Sequence, residues 1–242
     1  MDIEKDWLNL DKDDFLNKWY KDYYSKTSYG KYSGRAHSYL HKSIEKGYAD
    51  TDKMGKILEL GGNLGEHVPF VKHKFERYVL LDKIDNLNAD IRADLKLKKV
   101  DFIMADAESL PFKDESFDRV FCTCLLHHVQ QPEIVLAEIR RVLKNGGKAE
   151  IFLSSDPGLL FRAGRSLTSK RNSSNLGIKK IKELVDARDH INHAGGLEIL
   201  INHVFRKDAI TKISYPFRRF SWNFSFWSVF HIEKLTPNSG DE

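Results

Sequence analysis

The chain has 242 residues, 41% of them hydrophobic and 12% aromatic, and a formal net charge of +4. That is ample for a sizeable core and too even a charge balance for a disordered polyelectrolyte. No run of about eighteen apolar residues and no basic-then-apolar N-terminus is visible, so a cytoplasmic protein without a membrane span is expected.

Residues 1–52 place Trp7, Phe15, Trp19, Tyr23 and Tyr24 on roughly one helical face, then Tyr29, Tyr32, His37, Tyr39 and His41 around Gly30 and Gly34. Core packing is the favoured reading of that face, in a segment that caps the rest of the chain. Residues 56–65, Lys-Ile-Leu-Glu-Leu-Gly-Gly-Asn-Leu-Gly, read as a buried strand entering a glycine-rich turn, with a helix expected over 64–74. The strand at 78–81 stops at Asp82; after a polar stretch, the strand at 102–105 stops at Asp106. With Glu59, this puts acids at three strand ends converging on one crevice. A strand over 117–123, a helix over 132–144 and a strand over 148–153 continue the alternation, which implies a parallel sheet covered on both faces. Cys122 and Cys124 stand two apart in the first of these, a poor geometry for a mutual disulfide.

From residue 161 to 182 the chain carries Arg162, Arg165, Lys170, Arg171, Lys179, Lys180 and Lys182 without an acid. A solvated surface and an anion-binding loop both remain open. Helical patterns follow at 178–187 and 196–205, then a strand over 209–214. An aromatic alternation runs from Trp222 through Phe224 and Phe226 to Phe230 and Ile232, so two closing strands are expected. Residues 236–242 read as a frayed tail.

The stretch Ala105-Asp106-Ala107-Glu108-Ser109-Leu110-Pro111-Phe112 is followed in order by Ser116-Phe117-Asp118-Arg119-Val120, Leu126-His127-His128-Val129 and Arg140-Arg141-Val142-Leu143-Lys144-Asn145-Gly146-Gly147. Over roughly 56–154 the chain thereby resembles the class I S-adenosylmethionine (SAM) dependent methyltransferases, in particular their small-molecule, type 11-like branch. It departs from the pattern at Asn63, where the family usually has a glycine; Asn tolerates positive φ, so the turn is expected to survive. The resemblance implies an α/β fold, a three-layer doubly wound seven-stranded mostly parallel sheet with a C-terminal antiparallel hairpin. It divides the chain into a cap (1–52), a SAM-binding core (53–154), substrate loop, helices and closing strands (155–235) and a tail (236–242).

The same resemblance implies methyl transfer from SAM, leaving S-adenosylhomocysteine, to a hydroxyl or amine of a small molecule. It places Glu59 near the amino-acid end of the cofactor, Gly61, Gly62, Asn63 and Gly65 in the turn beneath it, and Asp82 on the ribose diol. Asp106 falls on the adenine amine, the Ala107 amide on the ring, and Leu125 in the lining. His127 and His128 fall where relatives line the transfer pocket, and His190 stands in a segment that relatives lay over the substrate opening. His190 leads as base, because a hydroxyl acceptor must lose its proton and imidazole titrates near neutrality; His37, His193 and His203 are weaker rivals. Tyr32, Arg162 and Arg165 are the expected acceptor contacts, Tyr29 and Trp222 further stacking candidates, and a negatively charged sugar or glycan intermediate the expected acceptor. No metal is expected, since adjacent histidines diverge.

Other classes fit less well. A dinucleotide oxidoreductase needs Gly-x-Gly-x-x-Gly, and this frame leaves Leu60 at the tight-turn position. The fourth strand runs into Cys122-Thr123-Cys124-Leu125, not the Asn/Asp-Pro-Pro-aromatic stretch of base-methylating enzymes, which disfavours nucleic acid. A nucleic-acid or protein methyltransferase using the basic stretch as its footprint, and a catalytically silent SAM-binding subunit, stay open.

Overall fold

The computed structural model describes residues 12–24, 26, 34–167, 173–174 and 178–236. Its strands are β1 (Lys53–Leu60), β2 (Lys74–Asp82), β3 (Val100–Met104), β4 (Phe117–Thr123), β5 (Leu143–Ser154), β6 (Ala209–Tyr215) and β7 (Trp227–Glu233). Among the described residues the helices are α1 (Lys12–Asp22), α2 (Gly34–Ile44), α3 (Ala89–Leu97), α4 (Pro132–Val142), α5 (Leu159–Leu167), α6 (Lys179–Asp189) and α7 (Ala194–Val204).

The strands form one sheet in the order β3-β2-β1-β4-β5-β7-β6. All neighbours are parallel except β5 with β7 and β7 with β6. This is the expected seven-stranded arrangement with its antiparallel end. The chain leaves β1 outward through β2 and β3 and returns on the other side as β4, so the order reverses between β1 and β4. The crevice at their carboxyl ends is where open α/β sheets bind ligands.

Strand alternation sorts the side chains onto two faces. Leu58, Leu60, Val120, Cys122, Ala149, Ile151 and Leu153 pack with Val135, Leu136 and Ile139 of α4 and Leu197 and Ile201 of α7. Ile57, Tyr78, Leu80 and Phe121 point the other way, toward Val68 and Leu95, and beside them Phe152, Ile213 and Val229 meet Ile44 of α2. Each fully buried side chain of this kind is worth about 1.5–3 kcal/mol, so these two layers hold the helices to the sheet. Phe15 and Trp19 of α1 are buried against Ile178, Ile181 and Val185 at α6, core packing as expected; Trp7 lies outside the described residues.

The second face also buries charge. Arg119 is fully buried on β4; its Nε donates to Glu150 Oε2 and its Nη2 to Glu45 Oε1, both at 2.8 Å, and Nη1 lies 2.8 Å from His73 Nε2. Tyr48 donates to Glu150 at 2.5 Å, and His67 links Glu45 to His41 through two contacts of 2.9 Å. Burial pushes the Glu45 pKa up, but the bonds from His67 and Arg119 outweigh it and hold the carboxyl at about 2. Because Glu45 directly follows α2, this network clamps the N-terminal segment onto the sheet.

Several elements differ from expectation. No helix follows the glycine turn; residues 64–74 make turns and the short 3-10 piece Val68–Phe70 before β2 begins. Gly65 takes φ +76°, and Pro69 lacks the N–H that a helix would use. The polar stretch after Asp82 contains α3, nucleated by Asn88, whose side chain accepts from Ile91 N–H at 2.9 Å. The helix expected to reach 144 stops at Val142, because β5 starts at Leu143. The aromatic run is not all strand: Trp222–Phe224 is a 3-10 turn, and β7 begins at Trp227.

Candidate active site

The end of β1 turns away from its strand at Gly61, whose N–H donates to Leu81 O at 2.8 Å. Gly61 has φ +69°, and a Cβ on it would stand 3.2 Å from Leu125; a Cβ on Gly62 would overlap the Leu80 side chain. Both conformation and space therefore demand glycine, and the bare backbone is left as a cradle between β1 and the loop after β4. Asn63 sits at φ +44°, the left-handed conformation expected of it. Its N–H donates to Asp82 Oδ2 at 2.9 Å, and its side chain donates to Glu66 at 3.2 Å and accepts from Asn86 at 3.1 Å.

Asp82 ends β2 half-buried, and burial raises its pKa against the opposing bonds from Ile84, Asn63 and Lys83. Asp106, just past β3, is more open; the Glu108 N–H bonded to it at 2.9 Å holds its carboxyl below the ordinary range. Ala107 beside it is buried. Glu59 does not line the crevice. It is buried, Tyr78 donates to its carboxyl group, and that group lies under Gly62, where it supports the turn from beneath. Burial lifts its pKa to about 8. A glycine cradle flanked by two carboxylates at neighbouring strand ends fits an adenosyl group with a free diol.

The three expected histidines are brought together at the same edge. The segment after α6 is stapled to the loop after β4 by Asn192, whose Nδ2 donates to Leu126 O at 3.0 Å and Val129 O at 2.7 Å. The His127 and His190 rings consequently stack at 5.3 Å, and the His128 and His190 rings meet edge-on at 4.8 Å. His190 Nδ1 is held by Asp156 Oδ2 at 2.9 Å, which orients the ring and frees Nε2 from that task. Burial lowers the His190 pKa although Asp156 opposes it, so the imidazole is neutral at neutral pH. His128 Nδ1 contacts Asp189 Oδ2 at 2.9 Å, and Tyr20 of α1 donates to the same oxygen at 2.8 Å.

His127 is corrected from a catalytic candidate to a structural one. Its Nδ1 donates to Asn192 O at 2.7 Å and its Nε2 accepts from Ser154 Oγ at 3.0 Å, and burial holds its pKa at about 4. Neither nitrogen remains for a substrate. Arg165 is likewise turned inward, paired with Asp156 and Asp186, whereas Arg162 is exposed on α5. Tyr29, Tyr32, Lys170 and Arg171 lie outside the described residues. Among the described residues no group of three or more His, Cys, Asp or Glu is placed to hold a metal ion. Sequence reasoning missed Asp156, Asp189 and Tyr20. Asp189 was visible as the acid preceding His190; nothing local marked Asp156 or Tyr20 as partners.

The fold is the one shared by Rossmann-like methyltransferases. Residues 58–151 match the family model described as a methyltransferase domain. The chain is 37% identical over 97 residues to a demethylmenaquinone methyltransferase of Clavibacter sepedonicus, covering 40% of this chain and 39% of that protein. It is 26% identical over 122 residues to the ubiquinone/menaquinone biosynthesis C-methyltransferase UbiE of Xylella fastidiosa (strain 9a5c), 46% of this chain and 48% of the relative. The chain thus spans less than half the length of either. In structure it is similar to the PH0226 protein of Pyrococcus horikoshii OT3, with TM-score 0.63 and 16% identity over 90% of this chain and 98% of that one. It is also similar to phosphoethanolamine N-methyltransferase 2 of Haemonchus contortus in complex with S-adenosyl-L-methionine, with TM-score 0.59 and 16% identity over 90% of this chain and 60% of that one.

Proposed function

We propose that this chain transfers the methyl group of SAM to a small-molecule acceptor that loses a proton in the reaction, with His190 as the base. The observation that carries the reading is the meeting of the glycine cradle, Asp82 and Asp106 with the His190–Asp156 pair at one edge of the sheet. Bound there, SAM supplies an electrophilic methyl on a sulfonium, so alignment and deprotonation are what the protein adds. Asp82 would accept from the ribose hydroxyls and Asp106 from the adenine amine, with the Ala107 amide on the ring, Leu125 against the turn and Glu59 supporting it. His190 Nε2 would take the acceptor's proton while Asp156 stabilises the imidazolium. His128, oriented by Asp189, would face the acceptor from the side.

α1 and α5–α7 lie outside residues 58–151, so the elements expected to select the acceptor are not those the family model covers. A hydroxyl or amine acceptor fits a single base. The relatives named for demethylmenaquinone and for C-methylation favour a second reading, a carbon acceptor, for which the same base would act on an adjacent hydroxyl. A negatively charged sugar depended on Arg162 and Arg165 gripping together; the pairing of Arg165 with Asp156 and Asp186 withdraws that support. Calorimetry with SAM and with NAD tests the cofactor, and mass spectrometry of products from isotopically labelled SAM with phenols, quinols and amines locates the methyl. Binding of NAD in place of SAM overturns the proposal.

A further inference from the structure

Beside this edge lies an exposed apolar surface. The connection from β6 to β7 carries Phe217, Phe220 and Phe224, which are 53%, 51% and 49% exposed, and α5 carries Leu159 and Leu167 at 62% and 70%. The Phe217 and Phe220 rings lie 5.0 Å apart. No residue of α5 is buried, although Leu159, Leu160, Phe161 and Leu167 are apolar. The two elements make one surface. Leu159 N–H donates to Asn223 Oδ1 at 2.9 Å, and Gly164 approaches Phe226 so closely that a Cβ there would stand 2.7 Å from the ring. Tyr215 pairs with Trp227, and Trp227 with Ser154 at the carboxyl end of β5, so the patch stands at the same end of the sheet as the histidines.

Charge completes the patch. Arg162, Arg218 and Arg219 are exposed on these elements, and no acid occurs in 157–182 or 209–232. Contiguous exposed apolar side chains rimmed by one sign of charge mark an interaction face. We propose that this face docks the protein on an anionic lipid surface. The phenylalanines and leucines enter the boundary between headgroups and acyl chains, and the arginines meet lipid phosphates. Leucine is the discriminating residue: single-stranded nucleic acid recruits aromatics for stacking but has no use for an aliphatic pair, whereas acyl chains accept both. Docking in this orientation turns the carboxyl ends of the strands toward the bilayer.

The test is co-sedimentation of the full chain with vesicles of phosphatidylcholine alone and of a ~7:3 mixture of phosphatidylcholine and phosphatidylglycerol at ~0.1 M salt, where exposed charges still act at short range. The protein should pellet with the anionic vesicles and remain in solution with the neutral ones. Arg218→Gln with Arg219→Gln should weaken retention roughly 25-fold, about fivefold for each basic residue at such a surface. Phe217→Ser with Phe220→Ser should abolish the retention that survives raised salt. Both double variants should melt at the wild-type temperature, which separates lost docking from lost folding. Absence of binding to anionic vesicles, or binding unchanged in both well-folded variants, overturns the proposal. Tighter binding to polyuridine than to vesicles, lost in the same variants, overturns it in favour of single-stranded RNA.

Discussion

At the scale of single residues, Asp82 and His190 are the groups proposed to carry the chemistry, and Asn63 shapes the turn. Removing a carboxylate that accepts from two ribose hydroxyls forfeits charge-assisted bonds worth about 1.5–3 kcal/mol, so Asp82→Ala should weaken SAM binding at least about tenfold in calorimetry. Unchanged affinity would remove Asp82 from the site. His190→Ala should lower kcat by about 10²–10⁴-fold, the usual worth of a positioned base. Asp156 stabilises the imidazolium, so its loss lowers the His190 pKa further. Asp156→Asn should therefore move the acid limb of the kcat profile to lower pH while reducing the plateau, and a limb that stays in place counts against the pairing. Asn63 occupies φ +44° with hydrogen bonds to Glu66 and Asn86. Asn63→Gly should stay within about 1 kcal/mol of wild type, whereas Asn63→Val, β-branched at positive φ, should lose about 1–3 kcal/mol and with it SAM binding.

At the scale of elements, the N-terminal helices are coupled to the sheet by different means. α1 is held by apolar packing on α6 and reaches the site through Tyr20. α2 is clamped through Glu45 to Arg119, which Glu150 also grips in a fully buried setting. Taking away the cation leaves two buried carboxylates without a compensating charge, so Arg119→Ala should cost about 3–5 kcal/mol in denaturant unfolding and speed amide exchange over 34–44. A loss below about 1 kcal/mol would mean that water replaces the guanidinium at no cost.

For the whole molecule, Glu59 links the sheet's interior to pH. Its pKa is lifted by burial from 4.5 to about 8. Below 4.5 folded and unfolded chains both hold the proton. Between 4.5 and about 8 the folded chain keeps it and the unfolded chain has lost it, so this residue's contribution to stability falls as pH rises. Glu59→Gln should flatten that decline, seen as a smaller drop in melting temperature from pH 5 to pH 8. A variant whose pH dependence matches wild type would show that Glu59 ionises without penalty.

Much of this was legible in the sequence because it rests on local rules. A short apolar run before Gly61 and Gly62 forces a strand and a turn, acids at strand ends read as a ligand edge, and Asn63 tolerates the φ that its position imposes. Alternating elements imply the parallel sheet, and the motif order between 105 and 147 carries the resemblance to class I methyltransferases. Other features depended on neighbours distant in the chain. Whether 64–74 formed a helix was decided by Gly65 and Pro69 against the nearby start of β2. The fates of His127 and Arg165, both spent on internal partners, and the joining of Asp156, Asp189 and Tyr20 to the histidines, arose only when Asn192 docked the segment after α6 onto the loop after β4. Periodicity reports which way a side chain points; which charge it meets is settled by tertiary packing, because a buried polar group takes whatever partner the fold brings within reach.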